Sequence, residues 1–271
     1  MIKPMLCQDT QGDFSRIPTD GWVMERKFDG WRVFFDRTPE GVRTYSGRNG
    51  SERTGSARFL EASLAFLPPG TLLDGELIAD GHSGAVATAL ASGGDLAFVM
   101  FDVLRVAGTD VTDYPWSVRR ELLEKISEGV SENPNIRLNP AVPVSQKTYD
   151  AWVKLGLEGS VAKRIDSRYR PGYRSPDWLK CKATLTDDAR VVGFERGKGQ
   201  SNKHLVGAFR LQMLATGAET SCSTSRVPAI EYAKAEDSGW LGRIIEVKHY
   251  GLFEGGHPRH PVYSRRREDL E

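Results

Sequence analysis

Residues 25–32 read Glu25-Arg26-Lys27-Phe28-Asp29-Gly30-Trp31-Arg32, and the reading of the chain turns on them. A lysine acts as a nucleophile only when partly uncharged, and nearby cations or a dry pocket lower its pKa toward that state. Arg26 and Arg32 are such cations by sequence. Asp29-Gly30 can turn the backbone tightly around a ligand. The same octapeptide also suits a plain charged turn of a hairpin. Residues 31–37 and 42–46 have strand composition, and Thr38-Pro39-Glu40-Gly41 between them carries turn chemistry, so these two runs form a hairpin.

Outward from that hairpin the chain reads as mixed α and β. Leu60, Leu64 and Leu67 share a helical face that Pro68-Pro69-Gly70 ends. Strands are expected at 71–79 and 96–106. After Pro115 a helix follows with Val118, Leu122 and Ile126 as its apolar face and Glu121 four residues before Lys125. A helix at 146–155 leads into strand-like runs at 157–165 and 177–184. Near 185 the character changes. Thr186-Asp187-Asp188 reads as a joint, and the short runs beyond it, with no helix of any length between them, suit a small barrel such as the OB fold. The polar stretch 215–239 reads as a long loop.

Composition bounds the function. The chain has 271 residues, 39% hydrophobic and 27% charged, with a mean hydropathy of −0.42; this is a globular composition, long enough for two domains. No apolar run approaches the roughly 18–20 residues of a membrane span. The start, Met1-Ile2-Lys3-Pro4-Met5-Leu6-Cys7, lacks the apolar core of a secretory signal, so a cytoplasmic location is expected. Cys7, Cys181 and Cys222 form no C-x-x-C pair, which speaks against a structural zinc or a disulfide framework. Thirty-seven basic against 36 acidic residues give a net charge of +1. That excludes a generally basic, histone-like binder, but the segment 154–182 holds eight basic and three acidic residues, a local net of +5.

Three further stretches carry chemistry. In Leu72-Leu73-Asp74-Gly75-Glu76-Leu77-Ile78, strand alternation puts Asp74 and Glu76 on one face, where two carboxylates could bind a divalent cation or a sugar hydroxyl. In Trp178-Leu179-Lys180-Cys181-Lys182 it puts Trp178, Lys180 and Lys182 together, a phosphate clamp, with Leu179 and Cys181 toward the core. Glu158-Gly159-Ser160-Val161-Ala162-Lys163 offers another glycine-flanked acid, and a regular strand would put Lys163 on the face opposite Glu158.

In this order, Lys27-Phe28-Asp29-Gly30, Asp74-Gly75-Glu76, Phe101-Asp102, Glu158 to Lys163 and Lys180-Cys181-Lys182 resemble the ordered motifs of the covalent nucleotidyltransferases, and most closely the ATP-dependent DNA ligases. Ser46-Gly47-Arg48-Asn49-Gly50 resembles the ligase S-R-x-G element with one inserted glycine. The tail, Arg259-His260-Pro261 and Arg265-Arg266-Arg267-Glu268-Asp269, resembles the family's ending, with Leu270 where a lysine usually stands.

The resemblance implies an α+β fold: an N-terminal nucleotidyltransferase domain of ATP-grasp-like antiparallel sheets with helices over 1–185, then an all-β OB-fold barrel over 186–271. It implies Lys27 as the residue that takes AMP from ATP. Glu25 would lie at the adenine edge, Phe101 would stack on the base and Glu76 would hold the ribose. Arg32, Arg48 and Arg174 would contact ribose or phosphate oxygens, and Lys180 and Lys182 the α-phosphate. Glu158, with Glu76, would bind Mg²⁺ or Mn²⁺. Arg259 and Arg267 would serve the pyrophosphate or DNA from the OB domain. Lys163 and Asp102 stay open between structure and function. The implied activity is sealing of 5′-phosphate/3′-hydroxyl nicks in duplex DNA by a monomer of minimal two-domain form, since only 26 residues precede Lys27. An RNA ligase or an mRNA capping guanylyltransferase is the nearest rival, and a non-catalytic OB-type binding module is the rival of a different class.

Overall fold

The computed structural model describes residues 3–79, 83–224, 227, 230–237, 239–253 and 255–270. The chain divides into two compact units, Met1–Lys182 and Ala183–Glu271. The first unit runs β1 (Leu6–Asp9), β2 (Trp22–Arg26), β3 (Trp31–Thr38), β4 (Gly41–Ser46), α1 (Arg58–Ser63), β5 (Thr71–Ile78), α2 (Ser83–Ser92), β6 (Ala97–Val106), β7 (Thr109–Asp110), α3 (Trp116–Glu128), β8 (Ile136–Leu138), β9 (Ala141–Pro143), α4 (Gln146–Lys154), β10 (Gly159–Arg164) and β11 (Arg174–Lys182). The second runs β12 (Leu185–Arg196), β13 (Val206–Met213), β14 (Glu219–Ser223), β15 (Ile244–His249) and β16 (Val262–Arg266).

The first unit is built on two sheets, ordered β1-β11-β10-β2-β9 and β4-β3-β5-β6-β7, with β8 added on β6. Pairings are antiparallel except β1 with β11 and β6 with β8. Each sheet carries apolar residues on both faces, which dictates a layered packing. Between the sheets Met5, Phe34, Leu72, Leu104, Tyr169 and Trp178 form one core. Beyond the second sheet, Leu60 and Leu64 of the α1 region, Val86 and Ala89 of α2 and Leu123 of α3 cover Val33, Leu73 and Phe98. Beyond the first sheet, Tyr149 of α4 joins Phe14, Met24, Ala162 and Cys181. Gly75 lies where β5 meets β6, and a Cβ there would run into the Phe98 ring and the Val99 carbonyl. Only glycine permits that approach.

The hairpin forms as its sequence dictates, with Thr38 opposite Gly41 and Val33 opposite Ser46. The face of α3 differs from expectation. Val118 is exposed, whereas Arg119 is buried with Leu123, and Leu122 and Ile126 pack beside them. Arg119 is tolerated inside because Asp102 accepts from its Nε and Nη2 at 2.8 and 2.9 Å. The i,i+4 ion pair recorded on this helix is Arg120–Glu124.

The second unit is a closed five-stranded barrel, β12-β13-β14-β16-β15, filled by Val191, Phe209, Leu211, Ile245 and Val247. Two expectations are corrected here. Thr186, Asp187 and Asp188 are not a joint: they lie within β12, paired to Lys248, Val247 and Glu246 of β15. Nor is 215–239 simply a loop, since β14 pairs with β13 inside it and a helical turn occupies Tyr232–Lys234. Its alternating polar strand has only Cys222 deeply buried, too weak a pattern to stand out. Residues 225, 226, 228, 229 and 238 of that stretch lie outside the described residues. Among the described residues no helix is long and apolar enough to cross a membrane, and no group of three or more His, Cys, Asp or Glu could hold a metal ion.

Candidate active site

The two sheets of the first unit hold a cleft of about 330 Å³ between them. Register builds one wall. Glu25 on β2 is opposite Val161 on β10, which is opposite Lys180 on β11, so all three share the face that lines the cleft. Trp178, Lys180 and Lys182 line it too, while Leu179 and Cys181 pack on the far face, as strand alternation requires. From the second sheet come Arg32 and Glu76, paired across β3 and β5, and Phe101. Phe101 is the extra residue of a bulge in β6: Asp74 pairs with Asp102 and Gly75 with Met100, leaving Phe101 unpaired between them.

Lys27 follows the end of β2, its N–H held by the Gly159 carbonyl at 2.9 Å. Its Nζ donates to Glu158 Oε2 at 2.7 Å, and Lys182 Nζ lies 3.0 Å from Glu158 Oε1. One carboxylate thus bridges two lysines. A regular strand would turn Glu158 away, because it precedes Val161 and Lys163 by odd numbers of residues. Gly159, at φ +136°, breaks the alternation, and Glu158 faces Lys27 and Lys182. The expectation of a lowered lysine pKa is also corrected. Burial does pull the Lys27 ammonium down, but the hydrogen-bonded Glu158 and nearby Glu76 outweigh it, and its pKa stands above the ordinary 10.5. Arg26 and Arg32 are neighbours in sequence, but the carboxylates are the partners that decide.

Glu76 is partly buried in the cleft with its carboxyl raised to about 7, first by burial and then by Glu158 and Asp74, against the pull of Lys27 and Arg32. Asp74 does not join it as a second open carboxylate. It is fully buried, held by Arg32 Nε and Nη2 at 2.9 and 2.6 Å and by the Tyr169 hydroxyl at 2.7 Å. Arg32 therefore lines the cleft with most of its N–H groups committed, one of them to the Met5 carbonyl. Arg48 is exposed and does not line the cleft. Arg174 lines it, donating to the Cys7 carbonyl at 2.5 Å, and Lys180 pairs with Asp9 at 3.1 Å.

The two residues left open between structure and function lie in different places. Lys163 is buried in the cleft wall, 2.9 Å from Glu25 Oε2 and from the Phe101 carbonyl, with its Nζ 4.4 Å from the Trp178 ring centre. Asp102 sits outside the cleft, closed against Arg119. Sequence reasoning missed Asn139, which lines the cleft beside Glu25. Its only local signal is an Asn-Pro step between two short strands, which reads as a turn. In the second unit, Arg267 is bound by Asp188 at 2.6 and 2.7 Å and by Asp269, and the Arg259 guanidinium lies 5.6 Å from the Phe253 ring centre. Leu270 is exposed in the final helical turn.

The cleft can receive an anion at Lys180 and Lys182, an aromatic ring at Phe101 and a cation at Glu76 and Glu158, all next to an amine. A family model described as ATP dependent DNA ligase domain matches residues 4–182. The multifunctional non-homologous end joining protein LigD of Pseudomonas aeruginosa is 30% identical over 291 residues, covering 93% of this chain and 34% of that protein. A DNA ligase of Thermococcus fumicolans is 31% identical over 232 residues, covering 77% of this chain and 41% of that protein. The chain thus spans 34% and 41% of the length of these curated relatives. Among solved structures, one from a structure–function study of Lig E DNA ligases matches with a TM-score of 0.74 at 20% identity, covering 98% of this chain and 100% of that one. The ligase domain of Mycobacterium tuberculosis LigD matches with a TM-score of 0.62 at 23% identity, covering 99% and 95%. At these identities the structural likeness carries the fold: a nucleotidyltransferase unit and an OB barrel.

Proposed function

The chain belongs to the ATP-dependent DNA ligase family, and from that membership we propose that it seals 5′-phosphate/3′-hydroxyl nicks in duplex DNA through a lysyl-AMP and then an AMP-DNA intermediate. The observation that carries this reading is Lys27 in a cleft that also holds Lys180, Lys182, Glu76 and Phe101, with Glu158 2.7 Å from its Nζ.

In the first step Lys27 Nζ attacks the α-phosphorus of ATP. An N–P bond forms, the bond to the bridging oxygen breaks, and pyrophosphate leaves. The amine must first lose a proton, and Glu158 Oε2 is within direct transfer distance to accept it. Lys180 and Lys182 neutralise charge building on the α-phosphate. To do so they exchange Asp9 and Glu158 for phosphate oxygens. Phe101 offers its face to the base and Glu76 accepts from the ribose. Arg32 supports the wall beside Phe101, 5.2 Å from its ring centre. Arg174 completes the mouth of the cleft, and Arg48 and the OB-unit residues Arg259 and Arg267 act on phosphates of DNA or on the departing pyrophosphate. Arg267 must then release Asp188 and Asp269.

A divalent cation fits this site. Mg²⁺ is held by one or two carboxylates together with substrate phosphates rather than by an all-protein cage. Glu76 and Glu158 are two such carboxylates, and Glu158 is near enough to help raise the Glu76 carboxyl. They would hold Mg²⁺, or Mn²⁺, which when bound screens the phosphate charge. The sealed product requires AMP transfer to the 5′-phosphate and attack by the 3′-hydroxyl, which displaces AMP.

The test is labelling with α-³²P-ATP. Wild-type protein should acquire a covalent label that Lys27→Ala lacks, and should seal a nicked duplex with a salt-sensitive affinity, because phosphate contacts release counterions. Persistent labelling of Lys27→Ala would remove the nucleophile assignment. Sealing of nicked RNA alone, or labelling by GTP alone, would favour the rival activities.

A further inference from the structure

Asn139 occupies an unusual position at the junction of the two sheets. Its N–H donates to the Met100 carbonyl at 2.8 Å, and its own carbonyl accepts from Arg120 Nη1 at 2.6 Å. The side chain is equally constrained. Nδ2 donates to the Arg26 carbonyl at 2.9 Å and lies 3.3 Å from Glu25 Oε2. Both neighbours are pure acceptors, so the amide cannot be flipped without setting oxygen against oxygen. The orientation of Oδ1 is therefore imposed.

That oxygen has no hydrogen-bond partner, although Asn139 is 98% buried and lines the cleft. Glu25 Oε1 is in the same condition: its sister Oε2 takes Lys163 and Asn139, while Oε1 is buried without a hydrogen bond, with Arg120 Nη1 3.8 Å away. Two hydrogen-bonded side chains of one cleft thus each leave one buried acceptor unmet. A buried acceptor without a donor costs free energy, and a ligand that supplies the donor recovers it. Two acceptors match the two hydrogens of an exocyclic amino group. An oxo group at the same place would leave three acceptors facing one another.

We propose that Asn139 is a specificity-determining residue of this site, its Oδ1 accepting from the 6-amino group of the bound purine while its Nδ2 holds the backbone one residue before Lys27. The proposal rests on the nucleotide-binding reading above and adds to it a residue and a division of labour. Oδ1 acts on substrate affinity. Nδ2 acts on the placement of Lys27 through the Arg26 carbonyl and touches no substrate.

The experiment crosses a change in the protein with a change in the ligand. Covalent labelling of wild type, Asn139→Leu and Asn139→Ser is measured with α-labelled ATP and with α-labelled purine riboside triphosphate, which lacks only the 6-amino group. Wild type should favour ATP by at least about tenfold in kcat/KM, the weight of one to two hydrogen bonds. In Asn139→Leu the KM for ATP should rise about tenfold while that for the purine analogue stays within about twofold. kcat should fall alike for both nucleotides as the lock on Arg26 is lost. Equal KM changes for both nucleotides would show a merely structural residue and overturn the proposal. So would a wild type indifferent to the amino group, a result that needs no variant and stands even if both variants fail to melt cooperatively. No label on wild type with either nucleotide would instead defeat the function proposed above.

Discussion

Glu76→Gln tests whether this cleft stores electrostatic strain for use on a ligand. In the folded protein the Glu76 carboxyl is raised from the ordinary 4.5 to about 7 by burial first and by Glu158 and Asp74 next, despite Lys27 and Arg32. Between those two values the folded protein binds more protons than the unfolded chain, so stability falls as pH rises through that window. Glutamine is uncharged throughout and lacks that loss. At about 1.4 kcal/mol for each tenfold, the interval from 4.5 to about 7 is worth about 3 kcal/mol at most. Water at the mouth of the cleft and side-chain relaxation reduce it, and a gain of about 1–2 kcal/mol is expected near pH 8.5, shrinking to nothing near pH 4.5. Urea unfolding of wild type and variant at both pH values measures this, with equal m-values as the check on two-state behaviour. Labelling by ATP should fall at least about tenfold in the same variant, because the ribose and cation contact is lost. A stability change of the same size at both pH values, or a loss at high pH, would refute the reasoning.

Three further outcomes follow from buried groups and one backbone angle. Arg119→Met leaves Asp102 as an uncompensated buried charge and should cost about 3–5 kcal/mol by urea unfolding, partly recovered by adding Asp102→Asn, with labelling per folded molecule retained because neither residue lines the cleft. Lys163→Met similarly strands Glu25 and should cost about 3 kcal/mol, more at alkaline than at acid pH, since protonating Glu25, whose pKa burial already raises, removes the stranded charge. Gly159→Ala forces a residue with a Cβ toward φ +136° and should cost about 1–2 kcal/mol in thermal or urea unfolding. It should also lower labelling, because Glu158 no longer aims at Lys27 and Lys182.

Much of the site was legible because strand alternation is a local rule. Trp178, Lys180 and Lys182 could be placed on one face, and Leu179 and Cys181 on the other, from five consecutive residues. The rule failed where one backbone angle overrides it: Gly159 turns Glu158 to the face that counting denies it. It also said nothing of Asp74, whose apparent partnership with Glu76 dissolves once Arg32 and Tyr169, 42 and 95 residues away, close around it. The buried Arg119 on α3 was unreadable for the same reason, since only a distant carboxylate makes an interior guanidinium tolerable.

The sequence by itself determined the ordered chemistry of the chain: a lysine before Asp-Gly, the D-G-E and K-x-K strands, a local excess of basic charge hidden in a net of +1, and a change to short strands near 185. Tertiary structure alone decided which charges meet. Lys27 keeps its proton because Glu158 arrives from 131 residues away, Asn139 joins Glu25 from 114 residues away, and Asp187 and Asp188 are stitched into a barrel strand instead of forming a joint. The physical reason is that a side chain's face follows from neighbours one or two residues along the chain. Its partner, and with it its pKa and its unmet hydrogen bonds, follows from sheet register set across the fold.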